Sequence, residues 1–213
     1  MRPKELESRL SQLGDFRNPK LSLEQYMTRP HIAAQILGWT YASEEFDEIE
    51  DRLIIDLGAG GGALTAAAIY TGAGKVIGVE LDDDAIALNL QNRENEDFEE
   101  CRWDVVKADV RSFLECSWLK ADVVISNPPF GTKNNAGVDF EFVRAAHNIA
   151  SEAVYSLHKT STRAGLERKA AKAGFDGEVV AEMQFDLPKT YNFHKSKNKC
   201  VSVDLWRFDC AKK

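Results

Sequence analysis

From residue 52 onward the chain alternates between short apolar runs and stretches of helical spacing. RLIIDLG, KVIGVEL, WDVVKADV, ADVVISN and AVYSLHK read as buried strands. Between and after them, ALTAAAIYTGA, DDAIALNLQNRENE, FEFVRAAHNIA and TRAGLERKAAKAG read as helices. Strands separated by helices of this length cannot pair through tight hairpins, so they predict a parallel sheet covered on both faces. EVVAEMQFDL and KCVSVDLWRF follow with no helix between them and predict an antiparallel C-terminal hairpin at the sheet edge. The sum is an α/β, Rossmann-like fold with a mostly parallel, seven-stranded sheet. Residues 51–213 form this core. Residues 1–50 form a helical extension, with Leu6, Leu10 and Leu13 spaced for a short helix and Thr28-Arg-Pro30 opening a second through about Leu37. No repeat or linker divides the chain, which predicts a single domain over 1–213.

The first strand runs into Asp56-Leu-Gly58-Ala-Gly60-Gly61-Gly62, a turn whose glycines let a ligand approach the backbone. Glu80 ends the second strand, 24 residues after Asp56, and Asp109 ends the third. All three acids therefore sit at the carboxyl ends of parallel strands, the side on which open α/β sheets bind ligands. A dinucleotide site would open on glycine, because an acid repels a pyrophosphate. An acid here suits a cationic amino-acid cofactor instead, with Glu80 placed for ribose hydroxyls and Asp109 for an adenine.

The fourth strand ends in Asn127-Pro128-Pro129-Phe130. The prolines fix their own φ, remove two donors and hold Asn127 extended. Such a corner presents the Asn127 side-chain oxygen and the Pro128 carbonyl together, with Phe130 as a wall. Two acceptors beside an aromatic face suit a planar amine, positioned for attack with no strong base needed beforehand.

The formal net charge of −7 conceals a segregated charge. EEFDEIED (44–51) and ENEDFEE (94–100) contain no Lys or Arg, whereas KTYNFHKSKNK (189–199) contains no acid. A second basic stretch carries Lys159, Arg163, Arg168, Lys169 and Lys172 against the single acid Glu167. A phosphate backbone responds to the local field, so an acidic total does not exclude RNA. The polar start MRPKELESRL predicts no signal peptide, and no apolar run is long enough for a membrane helix. Cys101, Cys116, Cys200 and Cys210 lack metal-site spacing and predict reduced thiols in an intracellular protein without a metal of its own.

The Asp-x-Gly-x-Gly turn resembles the first motif of class I S-adenosyl-L-methionine-dependent methyltransferases, and the corner resembles their amino-methylating members. LEQYMTRPHIAA, FGTKNNAGVD, VYSLHKTSTR and FDLPKTYNFHKSK narrow the likeness to one family. With them the chain resembles, from about residue 4 to 209, the eukaryotic 18S ribosomal RNA adenine-N6 methyltransferases (methyltransferase-like protein five). The resemblance implies transfer of a methyl group from S-adenosyl-L-methionine to one adenosine of small-subunit rRNA, leaving S-adenosyl-L-homocysteine. It also implies a heterodimer with a small zinc-binding activator subunit, acting in nucleus and cytoplasm. Residue by residue, Gln25 and Thr28 are expected at the methionine end, Asp56, Gly58, Gly60 and Gly61 in the cofactor turn, and Glu80 at the ribose. Asp109 and Val110 are expected at the adenine, and Asn127, Pro128, Pro129 and Phe130 at the target base. Ala59 and Gly61 stand where the family often has cysteine, Glu80 where it often has Asp, and Met27 where proline is commoner. Lys133, Lys189, Tyr191, Phe193, His194, Lys195, Lys197 and Lys199 are expected to meet RNA through charge and stacking; His194 fits a turn histidine as well as a base contact. The alternatives are a glutamine-N5 methyltransferase of a translation release factor and a catalytically silent RNA- or partner-binding scaffold. The first needs an N-terminal substrate domain for which some 50 residues leave little room.

Overall fold

The computed structural model describes residues 1–42, 48–96, 101–116, 118–130, 137–187 and 199–211. Of the residues expected to meet RNA, Lys133, Lys189, Tyr191, Phe193, His194, Lys195 and Lys197 lie outside the described residues, and Lys199 is described in its backbone alone.

Each apolar run becomes a strand: β1 (Leu53–Leu57), β2 (Lys75–Glu80), β3 (Trp103–Lys107), β4 (Ala121–Ser126), β5 (Ala150–Lys159), β6 (Asp176–Leu187) and β7 (Lys199–Asp209). They form one sheet in the order β3-β2-β1-β4-β5-β7-β6. β1 through β5 run parallel, and β7 lies antiparallel between β5 and β6. The helices are α1 (Pro3–Leu10), α2 (Pro30–Ala42), α3 (Ala63–Tyr70), α4 (Asp83–Asn95), α5 (Val138–Ile149) and α6 (Arg163–Ala173). None of the described helices is long and apolar enough to cross a membrane.

Side chains leave the sheet with period two, so neighbours enter different cores. Ile54, Val123, Ile125, Tyr155 and Leu205 join the core beneath α1, α2 and α3. Ile55, Val124, Val154, Trp206 and Phe208 join the core beneath α5 and α6. Both faces are thus covered, which is why these strands read as continuous hydrophobic runs. Two elements differ from the sequence reading. α2 continues past Leu37 to Ala42, and a Cβ at Gly38 inside it would sit 3.6 Å from Pro3 of α1. α5 passes into β5 at Ala150 with no intervening turn.

Strand order reverses between β1 and β4, which extend the sheet in opposite directions. Such a switch point opens a crevice at the carboxyl ends of the strands. Leu57 pairs with Ser126 there, so the glycine turn and the proline corner leave the sheet side by side.

Candidate active site

Above the switch point, Gln25, Gly58, Gly60, Glu80, Asp109, Val110, Asn127 and Pro129 line one cavity. Thr28, Asp56, Gly58, Gly60, Gly61 and Asn127 line a second, which shares Tyr26, Gly58, Gly60 and Asn127 with the first. The fold thus brings together residues from five separate stretches of chain. Pro128 is buried behind the corner and lines neither cavity. Phe130 also lines neither; its ring stands edge-on to Phe185 at 5.9 Å and tilted at 5.7 Å against Tyr26, which lines both.

The glycine turn is held from both sides. Val79 O accepts from the N–H of Gly58 and Ala59 at 2.9 and 3.1 Å, and Glu80 Oε2 accepts from Gly60 N–H at 2.9 Å. Gly58 has φ +75°, and a Cβ there would come within 2.9 Å of Phe142. Only glycine fits that combination of handedness and space. From α4, Asn89 Nδ2 donates to Gly60 O at 3.0 Å and Asn92 Nδ2 to Gly61 O at 2.8 Å. Both asparagines are fully buried, and Trp103 Nε1 donates to Asn89 Oδ1 at 2.8 Å. A Cβ at Gly61 would come within 2.8 and 2.9 Å of the Met27 and Leu88 side-chain ends, which would have to shift.

The N-terminal extension closes the wall. Lys20 pairs with Asp82 and, at 2.7 Å, with Asp84; Gln25 Nε2 donates to Asp82 at 3.0 Å, and Gly14 exchanges hydrogen bonds with Asn92. Phe16, Tyr26 and Phe142, which the sequence reading did not select, complete the cavity walls. Tyr26 carried a signal, since it lies inside the Gln25–Thr28 segment. Phe16, Phe142, Asn89 and Asn92 lie outside any motif used above.

Three carboxylates behave differently here. Asp56 is buried, with Thr65 Oγ1 donating to Oδ2 at 2.8 Å while Oδ1 has no partner. Burial pushes its pKa up to about 7, against the pull of the Thr65 hydrogen bonds. Asp109 is capped by Arg111 N–H and clasped by the Arg111 guanidinium at 2.5 to 3.1 Å, which holds its carboxyl below the usual range. Glu80 Oε1 also accepts from the N–H of Leu81 and Asp82. At the corner, Asn127 Nδ2 donates to Thr28 Oγ1 at 2.9 Å, and Asn127 Oδ1 is buried without a partner.

A half-satisfied buried polar group is uncommon and calls for a reason. Asp56 Oδ1 stands in the second cavity, an acid that favours a cation, and Asn127 Oδ1 at the wall shared by both, an amide oxygen that favours an N–H. The donor set therefore fits an amino-acid cofactor carrying an ammonium and a ribose, beside a substrate that brings an amine.

Comparison with known proteins agrees. Residues 38–161 match the methyltransferase small domain. The rRNA N(6)-adenosine-methyltransferase METTL5 of Danio rerio is 45 % identical over 208 residues, covering 98 % of this chain and 99 % of the relative. Mettl5 of Drosophila melanogaster, carrying the same name, is 43 % identical over 97 % of this chain and 95 % of the relative. The solved structure of PH1948 from Pyrococcus horikoshii superposes with a TM-score of 0.83 at 34 % identity, covering 98 % of each chain. With a class I methyltransferase sheet, a cofactor turn closed by buried asparagines and full-length relatives of this kind, the chain belongs to the rRNA N(6)-adenosine-methyltransferase family.

Proposed function

We propose that this enzyme methylates N6 of one adenosine in 18S (small-subunit) ribosomal RNA. When bound, S-adenosyl-L-methionine supplies an electrophilic sulfonium methyl. Asp56 Oδ1 would meet its ammonium, Glu80 its ribose, Asp109 with Val110 its adenine, and Gln25 with Thr28 its methionine end.

The single observation that carries this reading is the partnerless Asn127 Oδ1 at the wall common to both cavities. An exocyclic adenine amine is a poor nucleophile, because its lone pair is delocalised into the ring. Asn127 Nδ2 is spent on Thr28, which leaves Oδ1 as the amide's acceptor for an incoming N–H. Held by this corner, Asn127 Oδ1 would fix the nitrogen and stabilise positive charge as it develops. A base must be splayed from its stack to arrive there, which favours a loop or single-stranded site.

The activator subunit is proposed to add a strand to β3. That strand is one edge of the sheet, and Val106 on it and Leu81 nearby are each 46 % exposed. Unpaired edges with exposed apolar side chains invite such augmentation. The RNA substrate is met in nucleus and cytoplasm.

The test is methyl transfer from labelled cofactor to purified small-subunit RNA, read by nucleoside mass spectrometry. Asn127→Ala should lower turnover by at least about 100-fold, as loss of a charge-stabilising group does, with cofactor affinity nearly unchanged. Transfer to a release factor and not to RNA would overturn the reading.

A further inference from the structure

A third cavity opens at Phe130, between the first turn of α5 and the start of α6. Phe130, Asp139, Ser161, Thr162, Arg168 and Lys169 line it. Its walls are kept low by Gly137 and Gly165, above which a Cβ would meet nothing within 4 Å. Lys159 Nζ stands 5.4 Å from the Phe130 ring centroid, so a third cation borders the same corner. The one acid in the wall, Asp139, lies 3.9 Å from His158 Nδ1 and is attracted by Lys169.

The fold also sorts the late basic stretch. Arg163 is spent on Asp204 and Glu182 at 2.7 and 2.6 Å. Lys172 is exposed and does not line the groove, whereas Arg168 is exposed, lines it and makes no ion pair among the described residues. What remains is cationic and rich in hydroxyls, and it begins at the residue expected to carry the target ring. A nucleotide turned out toward Asn127 leaves its own backbone at the rim of the site.

We propose that this groove seats the RNA backbone beside the target adenosine, with Arg168, Lys169 and the Ser161 and Thr162 hydroxyls binding a neighbouring phosphate. The inference rests on the RNA-methylating reading above. It accounts for a protein of net charge −7 that engages a polyanion through a local field.

The experiment measures binding of purified small-subunit RNA against salt concentration, alongside methylation kinetics and cofactor affinity. Arg168→Ala should weaken RNA binding about two- to fivefold, the range of one exposed charge contact. It should also lower the salt slope by about 0.7, as one lost phosphate contact on a single strand does. Cofactor affinity should not move. Lys172→Ala, on the same helix but outside the groove, should leave all three unchanged. Gly165→Glu separates folding from binding, because helix propensity and an acid in the first turn favour the folded protein. It should raise the melting temperature while weakening RNA binding. The groove is excluded if Gly165→Glu binds RNA normally, or if Lys172→Ala and Arg168→Ala behave alike. If the wild-type protein with intact cofactor binding leaves small-subunit RNA unmethylated, the functional reading itself falls.

Discussion

At the scale of single residues, the site stores charge where water does not reach it. Asp56 is buried and its ionised form is disfavoured, with a pKa near 7 against an ordinary value of 3.8. That gap corresponds to about 4 kcal/mol of penalty once the carboxylate is charged. The sign follows from where the proton sits. The unfolded chain releases it near pH 4 and the folded chain near 7, so this group lowers stability as pH rises between those values. A bound ammonium reverses the preference, because it favours the ionised carboxylate. Cofactor affinity should therefore fall as pH drops below about 7, which calorimetry at pH 6 and 8 measures. Asp56→Asn should raise the melting temperature of the free protein at pH 8 by about 2 °C or more, following a gain of about 1 kcal/mol. The same variant should lose most of the thermal shift that cofactor gives the wild type. Loss of both stability and affinity would mean that Asp56 acts through its Thr65 hydrogen bond.

At the scale of elements, α4 serves as the clamp of the cofactor turn. Asn92 accepts from Gly14 N–H and donates to the carbonyls of Gly14 and Gly61, tying the extension to the turn through one amide. Asn92→Ala would leave the buried Gly61 carbonyl and the part-buried Gly14 N–H and carbonyl without this partner, at about 1–3 kcal/mol for a group that water does not reach. A loss of about 2–4 kcal/mol in urea unfolding is expected, together with weaker cofactor binding. A loss below about 0.5 kcal/mol would show that water replaces the amide. α4 also marks what the sequence disclosed and what it withheld. The strands were readable because burial on both faces leaves unbroken apolar runs. The acids at their ends were readable because parallel strands put such positions on one rim. Asn89 and Asn92 were not, since a polar residue in a helix suggests solvent until a tertiary partner is known. Phe16 and Phe142 reach the cavity only through packing. The basic stretch before and along α6 was visible as charge, but only the fold separates Arg163, spent on acids, from Arg168 in the groove.

At the scale of the whole molecule, Arg163 joins layers that the chain visits at separate times. Its guanidinium donates to Asp204 on β7 at 2.7 and 2.8 Å and to Glu182 on β6 at 2.6 Å, and Thr160 Oγ1 donates to the same Asp204 at 2.6 Å. Asp204 is fully buried; burial alone would raise its pKa, but the Arg163 and Thr160 hydrogen bonds hold it below the usual range. Its contribution is thus present above the ordinary carboxylate pKa and fades as pH falls through the lower, folded value. Removing the arginine inverts this behaviour, because a buried carboxylate without its cation becomes easier to protonate. Arg163→Ala should destabilise the protein near neutral pH, because it strips the buried Asp204 carboxylate of its cation. The deficit should shrink toward pH 4, where Asp204 in the variant takes up its proton. Urea unfolding at pH 4.5 and 7.5 checks both the loss and its change with pH. Arg163→Ala with Asp204→Leu should recover much of the loss at neutral pH, since the uncompensated charge is then gone. A deficit independent of pH in the single variant would instead assign the effect to lost packing of the arginine stem.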